Sequence, residues 1–526
     1  MHHSIVERSS GSKLPTAEQR ATLPIVVKKV DPIKVSRLTQ FMNNAAAQRW
    51  AELMRLLNTP RIEPSTELMP SMLTDEQAVQ FIDAGIMSPI APDMVKGSGV
   101  FFFVVETKLN EETNKYYDRL RPIFWPEKLN TSLKEIYEPN VPLHASGHYI
   151  DQVRAECGAV ADLKCGFFQF PLSPTARPWF CLQTTSGRTL CMNRLPMGFS
   201  MAPEIMQMIT EVVFSSPRVC DDASRATTDV WIDDARFTGS ETDVATSCER
   251  AKKRAAHVHA TIKSVDSFAP RKEYPFIGMR CNHLKHAVSV LEKTLLKMAT
   301  PAERMTVKDL RSNVGRLIFC AGVLRIPLAD YYFSIKWVAR KVNQQNNGHF
   351  NDNSIVDVPP SVVEELKQWI VAAHGERTLS SRGHDASTTT HTLFTDASLS
   401  GWGGIYSDPY GRVYIAGGKW CHDDGLEGLD HNALVSGDIS RLEARGLRRA
   451  FDSFSAVIKE NQRFLLHVFV DNTSVQAAAR RGIARSAGVN EELRHWLRAV
   501  VNYDLRYEID YVKSAENPAD AVSRRD

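Results

Sequence analysis

No apolar run in this chain of 526 residues approaches the roughly 18 residues that cross a bilayer, so neither a helical membrane protein nor a membrane partner is expected. The first 30 residues lack the apolar segment of a secretory signal. Nine cysteines are scattered, with no Cys-x-x-Cys pair and no Cys/His zinc spacing. That pattern speaks against structural zinc and for a reducing compartment, cytoplasm or nucleus, rather than secretion. Excess charge of one sign is missing as well, since the formal net charge is +3. A basic groove balanced by acidic surface elsewhere fits that figure, so net charge neither supports nor excludes a nucleic-acid partner. No internal repeat is visible.

What is present suits a folded chain of several domains, because one core rarely outgrows about 250–300 residues. Apolar residues make up 43% of the total. Residues 1–30 read as a polar arm. Val35, Leu38, Met42, Ala45, Trp50, Leu53 and Leu57 recur at helical spacing, and Asn58-Thr59-Pro60 ends that helix. Thr74 and Gln77 form a capping box for a helix that stops at Gly85. Gly99–Val105 reads as a buried strand, and Lys108–Arg119 as a polar loop. Arg250–Thr261 reads as a basic helix. Thr306-x-x-Asp309 caps a helix running to Ala321, which Arg325-Ile326-Pro327 breaks. A second helix follows from Leu328 through Val338, with Arg340 and Lys341 behind it. Gln344–Asn353 reads as a loop, Ser361–Ala373 as a helix and His374–Thr390 as a linker.

Three runs carry the chemistry of the first part of the chain. Val230-Trp231-Ile232-Asp233-Asp234-Ala235 delivers adjacent carboxylates at the tip of a β-rich stretch. Upstream lies Ala161-Asp162-Leu163-Lys164-Cys165-Gly166-Phe167-Phe168, and between them Arg194-Leu195-Pro196-Met197-Gly198-Phe199-Ser200-Met201-Ala202-Pro203. Each acid alone would be ordinary surface. In this order the runs resemble the palm motifs of reverse transcriptases. The resemblance implies that Asp162 and Asp233 coordinate two Mg²⁺ ions (Mn²⁺ also being acceptable), with Asp234 assisting. Phe167 would gate the sugar against ribonucleotides. Leu163, Met197, Gly198 and Trp231 would contact nucleotide, template or primer. Met197 stands where retroviral enzymes have glutamine, and Trp231 where the usual motif has tyrosine. Arg121-Pro122-Ile123, followed by Asn130, resembles the fingers hairpin that holds the triphosphate. Arg121 matches the family arginine, and the hairpin lysine is Lys108 or Lys115. The family lysine that protonates pyrophosphate is Lys263 or Lys272.

A second catalytic unit is expected from His391-Thr392-Leu393-Phe394-Thr395-Asp396-Ala397-Ser398 onward. Asp396, Glu443 in a helix, Asp471 ending the strand Phe464–Val470, and Asp520 in Asn517-Pro518-Ala519-Asp520 follow the acid order of RNase H. The resemblance implies that these four bind two further Mg²⁺ ions and cut the RNA strand of a hybrid. The runs Thr-Asp-Ala-Ser-x-x-Gly-Trp-Gly, Asp-Asn-Thr and Asn-Pro-Ala-Asp-x-x-Ser-Arg are most similar to tyrosine-recombinase retrotransposons (DIRS, Ngaro and VIPER-like elements). The resemblance covers about residues 75–526. No protease, integrase or tyrosine recombinase is recognisable, as expected of one product or an excised piece of a larger element.

The implied fold class is α+β multidomain: a right-hand polymerase (fingers, palm, thumb) followed by an RNase H-like α/β domain. The palm is expected as an antiparallel sheet backed by helices, and the RNase H domain as a mixed sheet with helices. The expected segments are 1–74 arm and helix, 75–155 fingers, 156–290 palm, 291–375 thumb, 376–390 linker and 391–526 RNase H. The implied partners are an RNA template, a DNA primer, an RNA–DNA hybrid and dNTPs.

Overall fold

The computed structural model describes residues 14–25, 27–110, 113, 115–143, 146–220, 225–265, 268–379, 390–420, 438–460 and 465–524. The chain divides into two compact units, Met1–His144 with Ala155–Ile277, and Ala145–Arg154 with Gly278–Asp526. Residues 1–13 of the expected arm and 380–389 of the expected linker lie outside the described residues. No described helix is long and apolar enough to cross a membrane.

In the first unit, the helix expected over Val35–Leu57 is broken. A short helix, Val35–Leu38, and a 3-10 turn precede α1, Asn44–Asn58. The cause is Asn43, whose Oδ1 accepts the Ala46 N–H at 2.9 Å and starts a new helix. α2, Asp75–Asp83, has the expected Thr74/Gln77 capping box. β1, Val100–Asn110, and β2, Lys115–Trp125, form an antiparallel hairpin. Most of the expected loop is therefore strand, with Lys108 facing Tyr117 and Glu106 facing Arg119. The Thr and Tyr residues there favour extended chain, and their polarity masks it in the sequence.

β3, Cys157–Asp162, leads into a single helical turn, α3, Gly166–Gln169. The short strands β4, Cys181–Gln183, and β5, Thr189–Met192, pair with one another. α4, Ala202–Phe214, is buried along nearly its whole length and carries a polar stripe, Glu204, Gln207 and Glu211, among apolar residues. β6, Thr227–Trp231, and β7, Asp234–Gly239, complete an antiparallel sheet ordered β3-β7-β6, on which α4 and α5, Glu241–Val258, pack. α5 begins before the expected Arg250, because the Ser240 side chain caps it. Its buried stripe, Val244, Cys248, Ala251, Ala255 and Val258, has helical spacing. Each large apolar side chain fully buried in this core contributes about 1.5–3 kcal/mol.

In the second unit, α6, Val307–Leu324, starts at the expected Thr306 cap, whose Oγ1 accepts the Asp309 N–H at 3.0 Å. α7, Tyr332–Asn346, runs on into the start of the segment expected as loop, and α8, Pro360–Ala373, follows. Within the expected linker, Glu376–Thr378 is a short strand paired with Ala287–Ser289.

The C-terminal part comprises β8, Thr390–Ala397; β9, Gly401–Ser407; β10, Val413–Lys419; α9, Ile439–Ser453; and β11, Leu465–Val470. It continues with α10, Thr473–Arg481; α11, Ala487–Asn502; β12, Arg506–Tyr511; and α12, Asp520–Ser523. The sheet order is β10-β9-β8-β11-β12. β10, β9 and β8 are antiparallel neighbours, while β8, β11 and β12 run parallel. Leu393, Leu466, Val468 and Ile509 alternate onto one buried face, as period-two strands require. The expected fold class is found: a mixed α and β chain with an antiparallel sheet backed by helices and a separate mixed sheet.

Candidate active sites

Asp162, at the end of β3, stands directly opposite Asp234, the first residue of β7. Trp231 pairs with Asp234 to close the β6–β7 hairpin, leaving Ile232 and Asp233 as its turn. The register thus brings all three expected acids to one end of one sheet. Ile232 has φ +56°, a conformation rare for a β-branched residue. Gln207 of α4, only 1% exposed, braces it. Its Oε1 accepts the Ile232 N–H at 2.6 Å, and its Nε2 donates to the Val230 carbonyl at 3.2 Å and to Glu211 at 3.0 Å.

Leu163, expected at the substrate, follows Asp162 directly. Its side chain is 2% exposed, and its N–H donates to the Asp233 carbonyl at 3.0 Å. Gly166, which opens α3, would carry a Cβ 3.1 Å from the Asp233 Cβ. Phe167, next in the chain, is only partly buried. Of the two candidate lysines, Lys263 faces the acids, with Nζ 3.5 Å from Asp162 Oδ2. Lys272 instead pairs with Glu156 at 3.3 Å and Glu241 at 3.9 Å.

Burial, then the Asp162 charge, raises the Asp233 carboxyl, and Arg121 and Lys108 partly offset this. Burial and the charges of Asp233 and Asp162 push Asp234 up to about 7. Hard carboxylate oxygens are the donors Mg²⁺ takes, and Asp162 Oδ1 is buried without a donor. The oxygens of this trio do not all lie within 4.8 Å of one another, in contrast to the second cluster below. Like charges repel at this range, and Asp162 turns toward Lys263.

The β1–β2 hairpin places Lys108 and Arg121 on one face. The charges of both are felt at Asp233, and Lys115, opposite Asn110, lies further along the same face toward the hairpin tip. The Arg121 guanidinium lies against Met197, with Nε 3.2 Å and Nη2 3.1 Å from Sδ. Gly198 has φ +110°, and a Cβ there would fall 2.4 Å from the Phe124 carbonyl oxygen. Its close approach is therefore to the β2 backbone, where a template base was expected. Asn130 fixes that loop: its Nδ2 donates to the Gly198 carbonyl at 2.9 Å and its Oδ1 accepts the Ser200 N–H at 2.8 Å.

In the second unit, Asp396 lies on β8 and Asp471 directly follows β11, its parallel neighbour. Glu443 comes from α9. A Cβ at Gly446, one turn further along α9, would lie 3.2 Å from the Asp396 carbonyl oxygen and 3.3 Å from the Ala397 Cβ, so glycine lets the helix lie against the strand. Ligand oxygens of Asp396, Glu443 and Asp471 lie within 4.8 Å of one another. Glu443 Oε2 and Asp471 Oδ1 are buried acceptors without a donor, as a cation site would leave them. Burial and the neighbouring Asp471 charge, only partly countered by the Ser523 hydroxyl, raise Asp396 to about 6. Burial and the charges of Asp471 and Asp396 raise Glu443 to about 10.

Asp520 opens α12 but pairs with Arg524 at 2.8 Å and stands outside the trio, although its charge still reaches Asp396. Ser523 donates to Asp396 Oδ2, and Ser514 donates to Asp471 Oδ2 at 2.5 Å. Sequence reasoning missed Gln207, Gly446, Ser514 and Ser523. The readable signal was Ser523, three residues after Asp520 in a short helix.

No family model and no curated protein matches the chain. Solved structures of a foamy viral protease-reverse transcriptase are similar to it. The dRH form with double-stranded DNA has a TM-score of 0.47 at 12% identity, covering 94% of this chain and 85% of that one. A second, with double-stranded DNA, has 0.47 at 14%, covering 93% and 99%. A third, with an RNA/DNA hybrid, has 0.48 at 13%, covering 94% and 65%. At these TM-scores and identities, function rests on the geometry of the chain itself.

Proposed function

We propose that the chain is an RNA-directed DNA polymerase that copies retroelement RNA into DNA, joined to an RNase H that cleaves the RNA strand of the hybrid. One observation carries this reading. Each unit has a sheet end where acids from separate chain segments meet: Asp162 with Asp233 and Asp234, and Asp396 with Glu443 and Asp471. A scaffold that merely binds polyanions has no need for clustered carboxylates near phosphates.

In the polymerase half, Asp162, Asp233 and Asp234 would hold divalent cations, Mg²⁺ by donor type. In the nuclease half Asp396, Glu443 and Asp471 would do so, with Asp520 at the margin. When bound, such ions supply Lewis acidity to the primer hydroxyl or to an attacking water, and to the leaving oxygen. The residues of the chain do the rest. Lys108 and Arg121 hold the triphosphate of a dNTP. Phe167 closes on the sugar, and Trp231 supports the primer end. Lys263, kept beside Asp162, holds the proton that the leaving pyrophosphate takes. Residues 75–155 serve as fingers, 156–290 as palm and 291–375 as thumb in a right-hand arrangement, with 391–526 as RNase H. The motif wording supports a source among the tyrosine-recombinase retroelements.

The test is a paired assay on an RNA template with a DNA primer, dNTPs and Mg²⁺. Asp233→Asn should abolish extension and spare hybrid cleavage, and Asp471→Asn should do the reverse. Loss of both activities in either variant would break the two-site reading. A second reading, a nuclease whose polymerase half is structural, is favoured by the looser grouping of Asp162, Asp233 and Asp234. It predicts cleavage by wild type without any extension.

A further inference from the structure

The β1–β2 hairpin sets a carboxylate, Glu106, among the cations Lys108, Arg119 and Arg121. Strand alternation puts Glu106 and Lys108 on one face, and the register sets Arg119 directly across from Glu106 with Arg121 on the diagonal. Glu106 is largely buried, with a side-chain exposure of 20%. Its two oxygens are shared unequally. Oε2 accepts from Arg119 twice, from Nε at 2.9 Å and Nη2 at 2.7 Å. Oε1 has only long contacts, 3.4 Å to Arg121 Nη1 and 3.6 Å to Lys108 Nζ. Burial works to raise this carboxyl, but the Arg119 hydrogen bonds and the charges of Lys108 and Arg121 outweigh it and hold Glu106 below its ordinary value.

Arg119 is thus committed to Glu106, while Lys108 and Arg121 are held loosely and are half-exposed. The Met197 sulfur fixes the other edge of Arg121 without neutralising it, because a thioether carries no charge. A polyphosphate that engages Lys108 and Arg121 must do so with the Glu106 carboxylate behind them, repelling it.

From this arrangement we infer that Glu106 is an internal counter-ion that sets how tightly the hairpin grips the triphosphate of the incoming nucleotide. The inference rests on the polymerase reading above for the identity of that ligand. Without Glu106 the patch would carry three unopposed cations and release pyrophosphate slowly. With it, the grip is weaker and Lys108 and Arg121 are poised by contacts that are easily exchanged. The side-chain partners of Glu106 are the hairpin cations, so it acts on affinity for the phosphate chain.

The experiment titrates the full chain with inorganic tripolyphosphate by calorimetry, and measures dNTP KM and kcat in primer extension. Wild type is compared with Glu106→Gln, Glu106→Asp and Arg121→Ala. Glutamine keeps an oxygen for Arg119 and removes the charge. At low salt, Glu106→Gln should bind tripolyphosphate about five- to tenfold tighter, as expected for one charge removed a few ångströms away near a protein surface. Its dNTP KM should fall by a similar factor, and kcat should not rise. Raising ionic strength should shrink the gap. Glu106→Asp should lie close to wild type, and Arg121→Ala should bind more weakly. Equal or weaker tripolyphosphate binding by Glu106→Gln would overturn the inference. If wild type extends primers and Glu106→Gln leaves tripolyphosphate affinity and KM unchanged, the counter-ion falls alone. If neither protein extends a primer, the polymerase reading falls, and the titration still decides whether Glu106 opposes polyphosphate binding.

Discussion

Gln207 controls a turn it does not belong to. Its amide spans Val230 and Ile232, the residues on either side of Trp231, and so sets where Asp233 points. Gln207→Leu would leave buried backbone groups unpaired, at about 1–3 kcal/mol each. The turn would then relax from its left-handed Ile232. We expect kcat for primer extension to fall about tenfold or more, as about 1.4 kcal/mol of lost transition-state stabilisation implies, while KM for dNTP changes little. Gln207→Glu, which can still accept the Ile232 N–H, should recover part of kcat. An equal fall in hybrid cleavage would instead indicate general destabilisation. Phe167→Val tests the neighbouring position, and ribonucleotide incorporation should rise relative to deoxyribonucleotide. Unchanged sugar selectivity would remove Phe167 from the gate. The contrast between these residues shows what sequence can reveal. Asp162, Asp233 and Phe167 stand in runs whose order and wording carry meaning. Gln207 is one of four polar residues on a mostly apolar helix, and its backbone partners Val230 and Ile232 meet it only once α4 lies beneath the hairpin.

The β6–β7 hairpin needs more than its turn to stay in register. Asp229 faces Arg236 across the strands, with Nε 3.0 Å and Nη2 2.5 Å from Oδ2, and both side chains are nearly inaccessible. The Arg236 guanidinium also lies 4.7 Å from the Phe276 ring centroid. Removing the carboxylate of a buried ion pair leaves the guanidinium less compensated, so Asp229→Ala should cost about 3–5 kcal/mol. Urea unfolding followed by far-UV signal should show the loss, and a change below about 1 kcal/mol would mean that Arg236 is satisfied without Asp229. Elements bounded by their own local chemistry were legible in the sequence, as the Thr74 and Thr306 caps demonstrate. Elements whose caps are masked by neighbouring charge or by periodicity running past them were not. The Ser240 cap precedes a helix whose charged half drew the reading toward Arg250, and Asn43 interrupts a periodicity that continues on both sides of it. The β1–β2 hairpin was hidden for a related reason: its outer strands are polar, so alternation of hydropathy gave no sign of them.

At the scale of the whole molecule, both units store like charge at their sheet ends, and this makes stability depend on pH in a defined direction. Asp396 is raised to about 6, Asp234 to about 7 and Glu443 to about 10, each chiefly by burial and then by neighbouring carboxylates. A carboxyl raised on folding binds its proton more tightly in the native state than in the unfolded chain. These three therefore favour the native state fully below the ordinary carboxylate range, near pH 4. That contribution is lost stepwise as pH rises through about 6, 7 and 10. Without divalent cations, these groups should lower Tm as pH is raised from 5 to 9. Glu443→Gln removes the largest of the three terms. It should raise Tm by about 3 °C or more at pH 8, where 1 kcal/mol moves a unit of this size by about 2–4 °C, and the gain should shrink toward pH 5. Mg²⁺ competes with the same protons, so it should stabilise wild type more at pH 8 than at pH 5. It should stabilise Glu443→Gln less than wild type. Scanning calorimetry at both pH values, with and without Mg²⁺, reads all of these comparisons. A Glu443→Gln gain that does not grow with pH would show that the buried cluster is not charged in the way its geometry requires, and a Mg²⁺ response equal in wild type and variant would place the bound ion away from Glu443.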